Sequence, residues 1–288
     1  ISDYVAAANM TLPRQMTTNS VTHCFSRGCP EILATDLDGT LIPLAGSSEN
    51  VQHLAQITDL IAEDEMSLLF VTGRHFESVM NAIHEYCLPT PNWILCDVGT
   101  SAYERRNTGE FELVDRYSRI VKSQMQNADS EMLRQLTNLI PHLRLQSPEN
   151  QTAFKVSFHT QAADLDDIVL RIAVELRKAD ANCQIISSVD PVTGGGLIDL
   201  LPTGVSKAFA LDWWRREHQS QQHSIIFAGD SGNDLEALSA GYRSIIVGNA
   251  ARIVVEQARE AHASAGWVNR LYFAKGHATS GVLEGLQH

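Results

Sequence analysis

Short runs of apolar residues stop abruptly at polar or glycine-bearing turns, and stretches of helical periodicity lie between them. Ile32-Leu33-Ala34 runs into Asp36 and Asp38, and Gly39 and Thr40 then break the pattern. Val51, Leu54, Ile57 and Ile61 recur at the spacing of a helix over 51–64. Leu68-Leu69-Phe70-Val71 is a second run, ending in Thr72-Gly73-Arg74, and a helix is expected near 77–86. Trp93-Ile94-Leu95-Cys96 is a third run and ends at Asp97-Val98-Gly99-Thr100. Ser224-Ile225-Ile226-Phe227-Ala228 is another, closed by Gly229-Asp230-Ser231-Gly232-Asn233-Asp234 ahead of a helix-like 235–240. Continuous apolar runs alternating with helical patterns predict buried parallel strands joined by right-handed crossovers. The fold class expected is therefore α/β, with a Rossmann-like, doubly wound parallel sheet.

The stretch from Thr72 to Lys207 is far longer than one crossover needs. Within it the pattern predicts a helix over 130–139, a strand over 154–158, a helix over 164–178 and a strand over 184–188. These elements read as an inserted α+β cap. The organisation expected is an N-terminal extension over 1–30, a first core part over 31–113, the cap over 114–198 and a second core part over 199–288. Residues 1–30 are rich in Thr, Asn, Ser and Ala and carry no assignable role.

The strand ends carry the chemistry. In open α/β sheets ligands bind outside the carboxyl ends of the strands. A carboxylate there, Asp36, can attack phosphorus, and a second two residues on, Asp38, can exchange a proton with the leaving oxygen and with water. Carboxylates facing a phosphate dianion need a cation, so the pattern predicts Mg²⁺. Asp230, Asp234 and Asn233 add the hard oxygen donors that such an ion prefers. Thr72 and Gly73 offer a hydroxyl and backbone N–H groups to a phosphate, and Lys207, at the start of a helical pattern, offers a point charge.

These four segments, in this order, resemble the four motifs of the haloacid dehalogenase (HAD) superfamily of phosphatases, in the branch with a type II cap. Further segments are similar to the sucrose-phosphate phosphatases. They are Lys155-Val156-Ser157-Phe158-His159, Ile198-Asp199-Leu200-Leu201-Pro202, and the C-terminal stretch from Tyr272 to Glu284 with its Lys275-Gly276-His277-Ala278. The resemblance runs from about residue 31 to the end. It departs from that branch at Gly39, at His75-Phe76-Glu77 and at Gly194-Gly195-Gly196. It implies a phosphatase whose catalytic residues are Asp36, Asp38, Thr72 and Lys207. The metal ligands it implies are Asp36, Asp38 through its carbonyl, Asp230 and Asp234. Phosphate would lie on Thr72, Gly73, Lys207 and Asn233. The sugar would lie against Arg74, Lys155, His159, Asp199 and His277, with sucrose 6-phosphate or a related disaccharide phosphate as substrate. Two alternatives use the same residues. One is a phosphatase or phosphomutase for another small phosphorylated metabolite, and the other is a non-catalytic module beside a glycosyltransferase.

Composition narrows the partners. A formal net charge of −12 over 288 residues argues against nucleic acid, whose phosphates demand many cations. No stretch reaches the ~20 apolar residues of a membrane span. Neither does a charged start with an apolar core open the chain, so no signal peptide is expected. Five cysteines, at 24, 29, 87, 96 and 183, form no disulfide framework and suggest a reduced, cytoplasmic setting.

Overall fold

The computed structural model describes residues 32–190 and 193–288. The expected N-terminal extension, Cys24 and Cys29 lie outside the described residues. The first half of the large layer is built from β1 (Ile32–Thr35), α1 (Ser48–Glu63), β2 (Ser67–Val71), α2 (Phe76–Glu85), β3 (Trp93–Cys96), β4 (Ser101–Arg105) and β5 (Phe111–Leu113). The chain continues through α3 (Asp115–Met125), α4 (Ser130–Thr137), β6 (Arg144–Leu145), β7 (Val156–Thr160), α5 (Leu165–Lys178), β8 (Cys183–Val189) and β9 (Gly196–Pro202). It returns as α6 (Lys207–Glu217), β10 (Ile225–Gly229), α7 (Leu235–Leu238), β11 (Arg243–Ile246), α8 (Arg252–Ser264), β12 (Leu271–Phe273) and α9 (Thr279–Leu286).

The large sheet has the order β12-β11-β10-β1-β2-β3-β4-β5. Its first six strands are parallel, and β4 and β5 extend it as an antiparallel hairpin. Alternate side chains explain why the runs are apolar throughout. Ile32 and Ala34 of β1, with Leu69 and Val71 of β2, join one core cluster with Tyr117, Leu211, Trp213, Trp214 and Val254. Leu33, Leu68 and Phe70 point the other way, into a cluster with Leu54, Ile57, Val79 and Val282. Strands β1 and β2 are thus buried on both faces, as helices on both sides require. The winding reverses between β1 and β10, a topological switch point, and the crevice at such a point is where open sheets bind ligands.

The inserted layer is a four-stranded antiparallel sheet in the order β6-β7-β9-β8. Val156, Phe158, Ile198 and Leu200 bury one of its faces against Leu133, Ile168, Ile172 and Leu176 of α4 and α5. Strand β7 starts at Val156 rather than at the expected residue 154. Thr152 N donates to Lys155 O (3.0 Å) and Phe154 N to Thr152 Oγ1 (3.2 Å), which holds 152–155 in a turn. Tyr117 and Val121 of α3 pack into the large layer, and β9 runs on past residue 198. We therefore place the passages between the layers after α3 and after β9.

Candidate active site

Strand β1 delivers Asp36 to the switch point. Asp36 N donates to Ala228 O (2.9 Å), so pairing with β10 persists to the nucleophile candidate itself. The chain then turns through Gly39, whose φ of +73° is left-handed. A side chain there would also collide with Asp230, because a Cβ would stand 2.5 Å from Asp230 Oδ2. Only glycine lets the first turn and the β10 turn approach this closely.

Lys207 is the centre of the charge arrangement. Its side chain is fully buried, with Nζ 2.8 Å from Asp36 Oδ1 and 2.7 Å from Asp234 Oδ1. Burial alone would lower the lysine pKa, but Asp234 and Asp36 outweigh it and raise it, so the ammonium stays charged. Asp36 is raised well above the usual carboxylate range, first by burial and then by Asp234, against the pull of Lys207. Asp230 is pushed up to about 7, chiefly by burial and by Asp234.

The β10 turn is wound around Asp234. Its Oδ2 accepts from Ser231 N (3.0 Å), Ser231 Oγ (2.8 Å) and Asp230 N (3.3 Å). Both Asp234 oxygens are therefore engaged by the protein, one by Lys207 and one by the turn. Ligand oxygens of Asp36, Asp230 and Asp234 lie within 4.8 Å of one another. Three carboxylates this close, two of them shifted toward the neutral form, suit a hard divalent cation.

Motif two is placed by β2 and β3. Thr72 is fully buried, with its N–H donating to Leu95 O (2.9 Å), and Thr72 Oγ1 accepts from Arg74 N (3.2 Å). Gly73 faces Asn233 across the crevice, since a Cβ there would sit 3.7 Å from Asn233 Nδ2. Arg74 turns to Asp38 rather than to open space. Its Nε donates to Asp38 Oδ2 (2.7 Å) and its Nη2 to Oδ1 (2.6 Å), while Nη1 donates to Ser78 Oγ (3.1 Å). The Asp38 hydrogen bond is the main cause of a raised Arg74 pKa. A two-pronged guanidinium fixes the plane of a carboxylate as well as its position.

The sugar-binding candidates separate. Ser157 of β7 and Lys155, in the turn just before that strand, are both buried. Lys155 Nζ stands 2.8 Å from Asp97 Oδ1, an ion pair without hydrogen-bond geometry at that oxygen. Ser157 Oγ donates to Asp199 Oδ1 (2.5 Å), on the paired strand β9. Burial raises the Asp199 carboxyl, against Lys155 and Ser157. His159 lies two residues beyond Ser157 on the same face of β7. It is exposed and lines a surface hollow with His142, Arg144 and Thr160, which no residue of the catalytic group lines. His277 is exposed too, and it bonds through its backbone, its carbonyl accepting from Asn50 Nδ2 (3.3 Å) and Ser280 N (3.1 Å).

Two participants were not singled out from the sequence. Asp97 anchors Lys155 from a turn with three successive left-handed residues, Asp97, Val98 and Gly99 (φ 53°, 58° and 91°). A positive φ at β-branched Val98 is costly and persists where surroundings enforce it. Here Asp97 N donates to Arg74 O (2.8 Å) and Val98 N to Thr72 O (3.1 Å). The available signal was that Asp97 ends an apolar run just as Asp36 does. The second is Asn249, which follows β11 and reaches both Gly39 and Asp230.

The family model for sucrose-6F-phosphate phosphohydrolase matches residues 29–288. A putative HAD-like hydrolase of Nitrosococcus oceani is 33% identical over 266 residues, 89% of this chain and 71% of the relative. The mannosylfructose-phosphate phosphatase of Agrobacterium fabrum is 26% identical over 259 residues, 89% of this chain and 96% of its own. Among solved structures, the sucrose-phosphatase of Synechocystis sp., determined with sucrose and phosphate, superposes with a TM-score of 0.73 at 22% identity. That match covers 90% of this chain and 97% of the other.

Proposed function

The chain belongs to the sucrose-6F-phosphate phosphohydrolase family of HAD phosphoric monoester hydrolases, and from that premise we propose that it is a Mg²⁺-dependent disaccharide-phosphate phosphatase. The family and its relatives make it a sugar-phosphate phosphatase, and the mannosylfructose-phosphate phosphatase and the sucrose-phosphatases among those relatives support sucrose 6-phosphate or a related disaccharide phosphate as the substrate. One observation carries the catalytic reading: Lys207 is buried between Asp36 and Asp234, with Asp230 beside them. A non-catalytic module has no use for so costly an arrangement of buried charge.

Asp36 attacks phosphorus in line and becomes an aspartyl-phosphate as the P–O bond to the sugar breaks. Asp38 gives its proton to the departing alkoxide, then takes one from the water that cleaves the aspartyl-phosphate and frees Asp36. Arg74 holds both oxygens of Asp38 as a carboxylate, so the proton that Asp38 gives to the alkoxide is one it takes from solvent once that fork opens. Lys207, Thr72 and the N–H groups beside Gly73 hold the phosphoryl oxygens, over which charge spreads in the transition state. Asp36, Asp230 and the Asp38 carbonyl would hold Mg²⁺, with Asp234 orienting Lys207 and the turn. Bound there, the ion neutralises charge between nucleophile and phosphate. Buried Lys155 and half-buried Asp199 are the groups proposed to meet the sugar. A disaccharide phosphate is formed by glycosyl transfer to a phosphorylated acceptor, so a glycosyltransferase is the enzyme this phosphatase would follow. Among the described residues no helix is long and apolar enough to cross a membrane.

Phosphate release from a substrate panel tests this reading. Disaccharide phosphates are expected to exceed hexose monophosphates by about ten-fold in kcat/KM, the worth of one or two added hydroxyl hydrogen bonds. Equal rates would remove the disaccharide preference, and no release from any ester would remove the phosphatase. Asp38→Asn should slow sugar phosphates by about 10²-fold or more, yet p-nitrophenyl phosphate far less, because nitrophenolate leaves without a proton.

The cation also makes a pH prediction. With a folded-state pKa of about 7 against an ordinary 3.8, the Asp230 carboxyl keeps its proton where the unfolded chain has lost it. Without cation, this group therefore costs stability as pH rises from the ordinary value to about 7. A divalent ion binds the deprotonated form, so its stabilisation grows over the same window. Melting curves with and without Mg²⁺ should show a clear rise in Tm at about pH 8 and a much smaller one at about pH 5.5. The same increment at both pH values would remove Asp230 from the ligand set.

A further inference from the structure

Asn249 spends its whole side-chain amide on the junction of three segments. Its Nδ2 donates to Gly39 O (2.8 Å), in the turn after the nucleophile, and to Asp230 Oδ2 (3.3 Å). Its Oδ1 accepts from Ala278 N (2.7 Å), in the C-terminal turn. That turn is itself fixed. Glu284 accepts from Gly276 N (2.8 Å) and Lys275 N (3.0 Å), Gly248 N donates to Gly276 O (2.7 Å), and Thr279 Oγ1 donates to Leu41 O (2.9 Å). Asn249 is thus anchored from behind by elements that contribute no group to the chemistry.

Asp230 needs such an anchor. Lys207 is committed to Asp36 and Asp234. Among the described residues the side-chain donors to the Asp230 carboxylate are Thr40 Oγ1 on Oδ1 (3.3 Å) and Asn249 Nδ2 on Oδ2. One neutral donor on each oxygen sets the carboxylate plane without neutralising it, which leaves its charge for a cation. The same Nδ2 holds the backbone next to Asp38, whose carbonyl is the other candidate cation ligand fixed by this turn. Loss of the amide would free both sides of the site at once.

We propose that Asn249 is the positioning residue of the divalent-cation site, transmitting the order of the C-terminal turn to Asp230 and to the first-motif backbone. The inference rests on the reading of Asp36 and Asp230 as cation ligands. Groups that orient metal ligands without touching the metal typically change affinity by about 10- to 100-fold when removed.

The test is Mg²⁺ binding to the full chain, followed by titration calorimetry and by the Mg²⁺-dependent rise in Tm. Asn249→Ala should raise the Kd for Mg²⁺ by about 10- to 100-fold and shrink the Tm increment, with KM for the phosphate ester at saturating Mg²⁺ within about two-fold of wild type. Asn249→Ser, whose hydroxyl is too short to span all three partners, gives the same measurement if the alanine variant does not fold. Asn50→Ala is the matched control. Asn50 is a buried amide that accepts from Leu44 N (3.0 Å) and donates to Ser280 Oγ (2.6 Å), close to the same turn but with no bond to Asp230. It should lower Tm and leave the Kd for Mg²⁺ within about two-fold of wild type. An unchanged Kd in the Asn249 variants, or an equal loss in Asn50→Ala, overturns the positioning role alone. Absence of Mg²⁺ binding in the wild-type protein overturns the cation reading and this inference with it.

Discussion

Asp36→Asn is expected to reduce phosphate release by at least about 10⁴-fold while the protein stays folded. A nucleophile acts as a unit with its partners, and its loss removes a whole reaction path rather than one contact. The amide retains the shape of the carboxyl but cannot form the aspartyl-phosphate. Stability should move the other way. The Asp36 carboxyl is held well above its usual range by burial and by Asp234. In the folded state its charge is therefore unfavourable, and its cost grows as pH rises. Lys207 keeps Asp234 as a partner in the variant. Without cation and near neutral pH, the variant should melt no lower than the wild type. Residual phosphate release above about one-hundredth of wild type, in a sample shown to be folded by circular dichroism, would assign the nucleophile elsewhere.

Lys207→Met should damage both activity and stability. The lysine is fully buried between two carboxylates, and removing it leaves Asp36 and Asp234 without their cation. Breaking a buried ion pair from one side costs about 3–5 kcal/mol, which for a chain of this size is a Tm loss on the order of 10 °C. Turnover should fall by about 10²- to 10³-fold, the usual loss when a group holding transition-state charge is removed. Adding Asp234→Asn should return part of the Tm, because one orphaned charge is gone, while activity remains low. A Lys207→Met protein that melts like wild type would mean that the ammonium is not sequestered between these carboxylates. One that melts early but turns over normally would remove its role on phosphate.

These two residues also show how much could be read along the chain. The ends of β1, β2 and β10 were legible because parallel strands are buried on both faces and must be apolar until they reach the crevice. The polar residues that follow each run therefore mark the carboxyl edge. That pattern pointed to Asp36 (just past Thr35), Thr72 and Asp230 with no knowledge of the fold, and it extended equally to Asp97, to which no role was given. The long insertion was legible for a similar reason, since a crossover of that length must carry a layer of its own.

What the sequence could not decide is which of these groups meet. Lys207 and Asp36 are 171 positions apart, and Asn249 and Gly39 are 210 apart. Nothing local brings them together. Alternation puts Ser157 and His159 on one face of β7, with Lys155 in the turn just before it, but where the core stops covering that face is a property of how the two layers sit. It buries Lys155 against Asp97 and leaves His159 in solvent. Likewise Arg74, which the resemblance places against the sugar, is a clamp on Asp38 in the fold. Local patterns in the chain marked β1, β2, β3 and β10, their carboxyl ends and the residue types that carry the chemistry. Only the packing of the sheet and its cap decided the pairings, because the direction of a buried charge is set by the partners that offset its lost hydration.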